Sequence, residues 1–232
     1  MKNKLIYLML IVLAVSACQQ NGPRGTAKLK TAADSASYAI GILVGMQNNQ
    51  TIEQVFPGNK DINIEIVSTA FRLASVGAET KMTPEEANEF LGAYIQAESE
   101  KEAQANLEAG NAFLEKNKAR AGVHVTPSGL QYEIITEGTG EKPGLEDNTR
   151  VHYHGTLIDG TVFDSSVERG QPETFPVNMI AGWTEAIQLM PVGSKWKIYI
   201  PSNLAYGEQR RSEVIGPNSA LIFEVELLEI VK

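Results

Sequence analysis

Three patterns of hydrophobic and polar positions follow one another along the chain. The first is an unbroken apolar run from Leu5 to Val15. The second extends from Asp34 to Gly122, where apolar residues recur every three or four positions. In "NIEIVSTAFRLASVG", for example, Ile66, Ala70 and Leu73 share one face, as they would on a short amphipathic helix. The third begins after Gly122, where the period falls to two. "KWKIYI" sets Trp196, Ile198 and Ile200 on one face, and "ALIFEVELLEI" sets Leu221, Phe223, Val225 and Leu227 opposite Glu224 and Glu226. A helical region followed by a region of strands predicts an α+β chain.

Within the helical region, "TPEEANEFL" provides an N-cap at Thr83, proline at the first helical position and Glu86 three residues after the cap. No proline interrupts the segment before Gly122, so a helix of more than about 50 Å is expected. Its first turns carry Phe90, Leu91, Tyr94 and Ile95. The middle, "QAESEKEAQAN", has almost no large apolar side chain and reads as a solvated stalk. In the strand region, Asp159-Gly160 marks a turn between strands at Val151–Leu157 and Val162–Phe163, and one short helix is expected near Trp183 to Leu189.

Composition narrows the function classes. The chain has 232 residues, 43 % of them hydrophobic, enough for one or two packed domains. A formal net charge of −8 excludes a general nucleic-acid binder, which needs clustered cations to displace counterions from phosphates. Lys2 and Lys4 precede the first apolar run, and Ser16, Ala17 and Cys18 follow it, so residues 1–17 read as a signal peptide. The run is shorter than the roughly 20 residues a spanning helix needs. "VSAC" resembles the lipobox of bacterial lipoproteins, which makes Cys18, the single cysteine, a lipidation site. Gln19 in place of Asp implies, by resemblance to the sorting rule of enteric bacteria, an exported lipoprotein of the outer membrane, facing the periplasm or the cell surface. Residues 18–33 are polar and small, as a flexible tether would be.

The densest candidate chemistry is "VHYHGTLIDGTVFDSS", residues 151–166. A hydrolase reading fails for want of a nucleophile elbow of the G-x-S-x-G type. His152 and His154 share a strand face, but a third ligand is missing nearby, so no metal is expected. Alternation turns Tyr153 to the other face. With Phe163, Trp183, Tyr206 and Phe223 it makes five aromatics, which composition alone assigns to a core.

Order and spacing change that assignment. "VHYHGTL-x-DG-x-VFDSS", "GWTEAIQLMPVGSK", "IPSNLAYG" and "ALIFEVELLEI" resemble, in this order, the peptidyl-prolyl cis-trans isomerases of the FK506-binding type, over residues 123–232. Residues 34–122, with "SYAIGILVG" and "MTPEEANEFL", are similar to the helical dimerisation domain of Mip- and FkpA-like exported members. The resemblance implies an antiparallel half-barrel sheet wrapped on a short helix, preceded by an all-α domain with a long connecting helix.

It implies an apolar basin as well. Trp183 would form the floor, Tyr153, Phe163 and Phe223 the walls, and Met179 and Ile180 the rim. The Ile180 N–H would hold the substrate chain, and the Tyr206 hydroxyl would donate to a substrate carbonyl. Asp164 and Arg169 would sit at the edge beside Tyr153, with Val214 and Ile215 on a flap loop. The segment between Pro172 and Gly182 is shorter than in small cytosolic members, and a wall position usually apolar falls on Glu173 or Thr174.

The implied partners are proline-containing unfolded or extended protein segments, a second copy bound through the helical domain, the membrane through Cys18, and FK506- or rapamycin-like ligands. No cofactor or nucleic acid is implied. The competing reading from another class is a dimeric holdase chaperone or peptide-binding module with little turnover.

Overall fold

The computed structural model describes residues 29–55 and 62–231. The expected signal peptide, Cys18 and most of the tether lie outside them. The chain divides into two compact units, Met1–Gly58 and Asn59–Lys232. In the first, the described element is helix α1, Ala32–Val55. Ile40, Leu43 and Met46 on α1 are all exposed.

The second unit begins with α2, Ile64–Ser75, whose N-cap Asn63 accepts hydrogen bonds from the Glu65 and Ile66 N–H groups. Helix α3, Pro84–Asn117, starts with the expected capping box. The Thr83 hydroxyl accepts from the Glu86 N–H at 3.1 Å, and the Glu86 carboxylate accepts from the Thr83 N–H at 2.8 Å. With 34 residues α3 is about 50 Å long. It ends five residues before Gly122, and the chain turns through Gly122 at φ +85°, a left-handed conformation that glycine adopts without steric cost.

The stalk expectation for residues 96–106 fails from Glu102 onward, where α3 begins a docked face that continues to Asn117. Glu102, Ala103, Asn106, Leu107, Gly110, Phe113, Leu114 and Asn117 recur with helical period on the less exposed side. Asn106 Nδ2 donates to the Pro217 carbonyl at 2.9 Å, and Glu102 pairs with Arg210. Gly110 lies so close to Ala220 that an added Cβ would meet the alanine methyl at 3.2 Å. Leu114 packs with Tyr199 and Ile222. Buried Asn117 donates to the Gln131 side chain at 2.9 Å, and Gln131 donates in turn to the Leu114 carbonyl at 3.0 Å. Small residues and amides make the first part of this docking face, and Phe113 and Leu114 add an apolar contact at its end.

Seven strands follow: β1 Val123–Val125, β2 Gln131–Thr136, β3 Asn148–Thr156, β4 Val162–Ser165, β5 Glu173–Pro176, β6 Lys195–Ile200 and β7 Leu221–Val231. They form one antiparallel sheet in the order β1-β2-β6-β7-β3-β4, with β5 on β3. Helix α4, Ala181–Leu189, lies between β5 and β6 in sequence. Its Trp183, Ala186 and Ile187 are buried with Val151, Ile198, Phe223 and Val225 of the sheet, so the core is the space between α4 and the concave sheet. This is the expected α+β half-barrel. On β3, Thr149, Val151, Tyr153 and Gly155 point inward and Arg150, His152 and His154 outward, as period two requires. Strands β1 and β5 were not anticipated, being three and four residues long. Among the described residues no helix is long and apolar enough to cross a membrane.

Candidate active site

Trp183 stands in the first turn of α4, 3 % exposed, and organises the rings around it. Tyr153 of β3, Phe175 of β5 and Phe223 of β7 each meet it edge-on, with centroids 6.2, 6.2 and 5.4 Å away. Phe163 of β4 meets Phe223 edge-on at 5.3 Å. Such T-shaped pairs align the positive edge of one ring with the negative face of another, and so fix the walls in one arrangement. Gly155 makes the closure possible. A Cβ there would lie 2.5 Å from the Phe163 ring and 3.1 Å from Phe223.

These rings line a cavity of about 540 Å³, completed by Asp164, Met179, Ile180, Tyr206, Arg211, Ser212 and Ile215. Nine of the eleven residues implied by resemblance therefore face one space. Arg169 and Val214 do not line it. Val214 is 41 % exposed on the loop after β6, whereas its neighbour Ile215 is 6 % exposed and turned inward. The Ile180 N–H, just ahead of α4, and the Tyr206 hydroxyl have no hydrogen-bond acceptor among the described residues.

The polar edge is a closed set. Tyr153 Oη donates to Asp164 Oδ2 at 2.5 Å and accepts from Arg169 Nη2 at 2.7 Å. Arg169 Nη1 pairs with Asp164 Oδ1, and Nη2 also reaches Glu173 Oε1 at 2.9 Å. Burial pushes the Asp164 carboxyl up, but the hydrogen bonds from Tyr153 and Arg169 and the guanidinium charge outweigh it, holding the carboxyl below its ordinary value. Burial, reinforced by the bond to Asp164, pushes the Tyr153 phenol up to about 12. The bond to Asp164 raises the Arg169 guanidinium above its ordinary value. Both shifts move the two groups away from titrating near neutral pH, the Asp164 carboxyl downward and the Tyr153 phenol upward.

The expected wall position at Glu173 or Thr174 is corrected by the register of β5. Thr149 pairs with Phe175 and Val151 with Glu173, and alternation leaves Thr174 outward. Phe175 fills the wall, 5.5 Å from the Tyr153 ring, while Glu173 pairs with Arg169. The apolar wall is complete. Phe175 was missed because the register that turns it inward is set by β3, not by its own neighbours. Arg211 and Ser212 were missed because no periodicity marks an irregular loop.

The histidines lie on the other face. His152 Nδ1 is 3.1 Å from Ser166 Oγ and His154 Nδ1 is 3.0 Å from Ser165 Oγ. Ser166 Oγ also accepts from the Tyr153 N–H at 2.8 Å, which fixes the turn after β4. Among the described residues no three His, Cys, Asp or Glu side chains converge as a metal site.

Comparison with known proteins agrees with this geometry. The family described as FKBP-type peptidyl-prolyl cis-trans isomerase matches residues 139–228, and the domain amino terminal to FKBP-type peptidyl-prolyl isomerase matches residues 33–134. The outer membrane protein MIP of Legionella longbeachae is 41 % identical over 241 residues, covering 100 % of this chain and 99 % of that protein. The peptidyl-prolyl cis-trans isomerase Mip of Coxiella burnetii is 39 % identical, with 97 % and 98 % covered. The crystal structure of FkpA from Escherichia coli superposes with a TM-score of 0.66 at 32 % identity, covering 88 % of this chain and 98 % of that one. With identity sustained over its whole length and both regions matched in order, the chain belongs to the FKBP-type peptidyl-prolyl cis-trans isomerase family and is an isomerase of that type.

Proposed function

We propose that the aromatic basin is where an X-Pro bond of an extended or unfolded protein segment is rotated, and that it works without acid-base chemistry. The observation that carries this is the closed Asp164–Arg169–Tyr153 set: among the described residues, the one carboxylate lining the basin is committed to its neighbours. Rotation about the amide costs about 18–20 kcal/mol because it breaks resonance, and no bond or proton need be exchanged. The twisted amide has lost charge separation, so an apolar, water-poor basin holds it more favourably than the planar amide. Trp183 seats the proline ring, and Tyr153, Phe163, Phe175 and Phe223 enclose it. The unengaged Ile180 N–H and Tyr206 hydroxyl take carbonyls of the substrate chain. Met179, Val214 and Ile215 border the opening, Asp164 and Arg169 hold Tyr153 in position, and FK506- and rapamycin-like ligands compete for the same space.

The helical region makes the chain a homodimer. Helix α2 exposes Ile66, 67 % accessible, and α3 exposes Phe90 at 62 % and Leu91 at 43 %. Ile66, Ala70 and Leu73 border an apolar groove of about 820 Å³ closed by Met82 and Pro84. Faces of this size on a soluble protein mark association surfaces. The protein is exported, anchored by lipid on Cys18 in the outer membrane, and acts on other exported chains; the Legionella longbeachae relative carries the name of an outer membrane protein.

Turnover of a short proline peptide tests the basin. Phe223→Ala and Trp183→Ala should lose most of it, as should wild type with FK506; full activity in both variants would move the site elsewhere. Sedimentation of the fragment Lys28–Lys232 tests the dimer, which a monomer at micromolar concentration refutes. Membrane fractionation of Cys18→Ser tests the anchor, and unchanged membrane association refutes it.

A further inference from the structure

The loop between β6 and β7 carries two consecutive arginines that face different ways. Arg210 turns from the basin and pairs with Glu102 of α3. Arg211 turns into it: its guanidinium carbon lies 5.4 Å from the Tyr206 ring centroid, and both residues line the cavity. The loop is tied to itself around this position. The Arg211 N–H donates to the Ile215 carbonyl at 3.0 Å, and Ser212 Oγ accepts from the N–H groups of Val214 and Ile215 at 3.3 and 3.0 Å. It is tied to α3 as well, through Asn106 to the Pro217 carbonyl at 2.9 Å and Asn218 to the Ala103 carbonyl at 3.4 Å. Arg211 is presented by a braced segment, not by a free tip.

Its charge is unspent. Among the described residues no group accepts a hydrogen bond from the Arg211 guanidinium and no carboxylate pairs with it. Arg169, the other guanidinium near the basin, is engaged by Asp164, Glu173 and the Tyr153 hydroxyl. Asp164, the carboxylate in the cavity lining, is thereby taken and does not answer Arg211. A guanidinium stacked on an aromatic face keeps its N–H edges for a ligand, and the planar group that matches two of them at once is a carboxylate.

We propose that Arg211 is a specificity-determining residue of the isomerase, favouring substrates with Asp or Glu next to the isomerised proline. The inference rests on the basin being the isomerase site. Because Arg211 is exposed, the pair it forms with a substrate is a partly solvated one. Such pairs are worth enough for roughly a two- to five-fold preference, and salt weakens them.

The test uses the full-length protein and two short peptide series, one varied before the proline and one after it, each with Glu or its uncharged isostere Gln. The ratio of kcat/KM for Glu over Gln is measured at low salt and at about 0.5 M salt. At one of the two positions the wild type should give a ratio of about two to five, falling toward one in high salt. Arg211→Gln should bring that ratio to one, and Arg211→Lys should retain part of it. A ratio taken within one protein cancels any general loss of activity. No Glu preference at either position in wild type, or the same preference in Arg211→Gln, overturns the proposal. Full turnover of both series by Phe223→Ala would instead overturn the placement of the site, and the role of Arg211 with it.

Discussion

Removing α3 from the isomerase half tests whether that helix is a spacer or part of the domain. Two fragments differ in it and in the short turn after it, which carries the exposed Arg120–Glu133 pair: Thr83–Lys232, which keeps the capping box, and Gly122–Lys232, which begins where the chain turns into β1. The shorter fragment loses the burial of Leu114 against Tyr199 and Ile222, about 1.5–3 kcal/mol. It also loses both partners of the Gln131 amide, which is only 4 % exposed, at about 1 kcal/mol per hydrogen bond. Exposed helix in isolation is close to neutral in free energy, so little is recovered by not having to order it. The difference comes to about 3–5 kcal/mol, a large share of the 5–15 kcal/mol typical of a whole domain. At about 4–8 °C per kcal/mol, the melting midpoint of Gly122–Lys232 should lie on the order of 20 °C lower. Both tryptophans, Trp183 and Trp196, lie in the shared part, so their fluorescence follows the same unfolding in each fragment. Leu114→Ala in the full-length chain checks the largest contribution without truncation and should cost about 2–4 kcal/mol. Equal midpoints for the two fragments would show that α3 is only a spacer and that its contacts carry no free energy.

Four further outcomes concern the basin and the strand that carries Tyr153. Asp164 has a folded-state value below its unfolded one, so its pairing stabilises the fold above about pH 4 and is lost as the pH falls through the lowered value. With Tyr153 neutral up to about 12, kcat/KM should be level between about pH 5 and pH 9, and a clear bend in that range would contradict a mechanism without proton transfer. Asp164→Asn keeps an acceptor for Tyr153 and should reduce turnover by no more than about tenfold, whereas a loss of 10²–10⁴ would mark the carboxyl as a general acid. His152→Ala combined with His154→Ala should leave turnover within a few-fold of wild type and insensitive to chelator, because both side chains lie on the face away from the basin; inhibition by chelator would revive a metal.

Local spacing determined much of this protein. Period two in "KWKIYI" and "ALIFEVELLEI" placed Trp196, Ile198, Phe223 and Val225 on the buried face, because successive side chains of a strand must alternate whatever lies beyond them. Thr83, Pro84 and Glu86 determined where α3 starts, because a capping box is complete within four residues. Tyr153 was separable from His152 and His154 by alternation alone. What the tertiary structure decided was of a different kind. The face of α3 that docks on the β6–β7 loop and on β2 includes Ala103, Asn106, Gly110 and Asn117, residues without a large apolar side chain that become part of an interface only when Asn218, Pro217, Ala220 and Gln131 are brought to them. Phe175 became a basin wall through the register of β5 on β3. Arg169 and Arg211 are the same residue type at the same basin, one neutralised by two carboxylates and the other, among the described residues, without a carboxylate partner. Periodicity is a property of neighbours in the chain, so it is written in the sequence. The partner of an amide, a ring or a charge is chosen among groups up to about a hundred residues away, and only the folded chain brings them within reach.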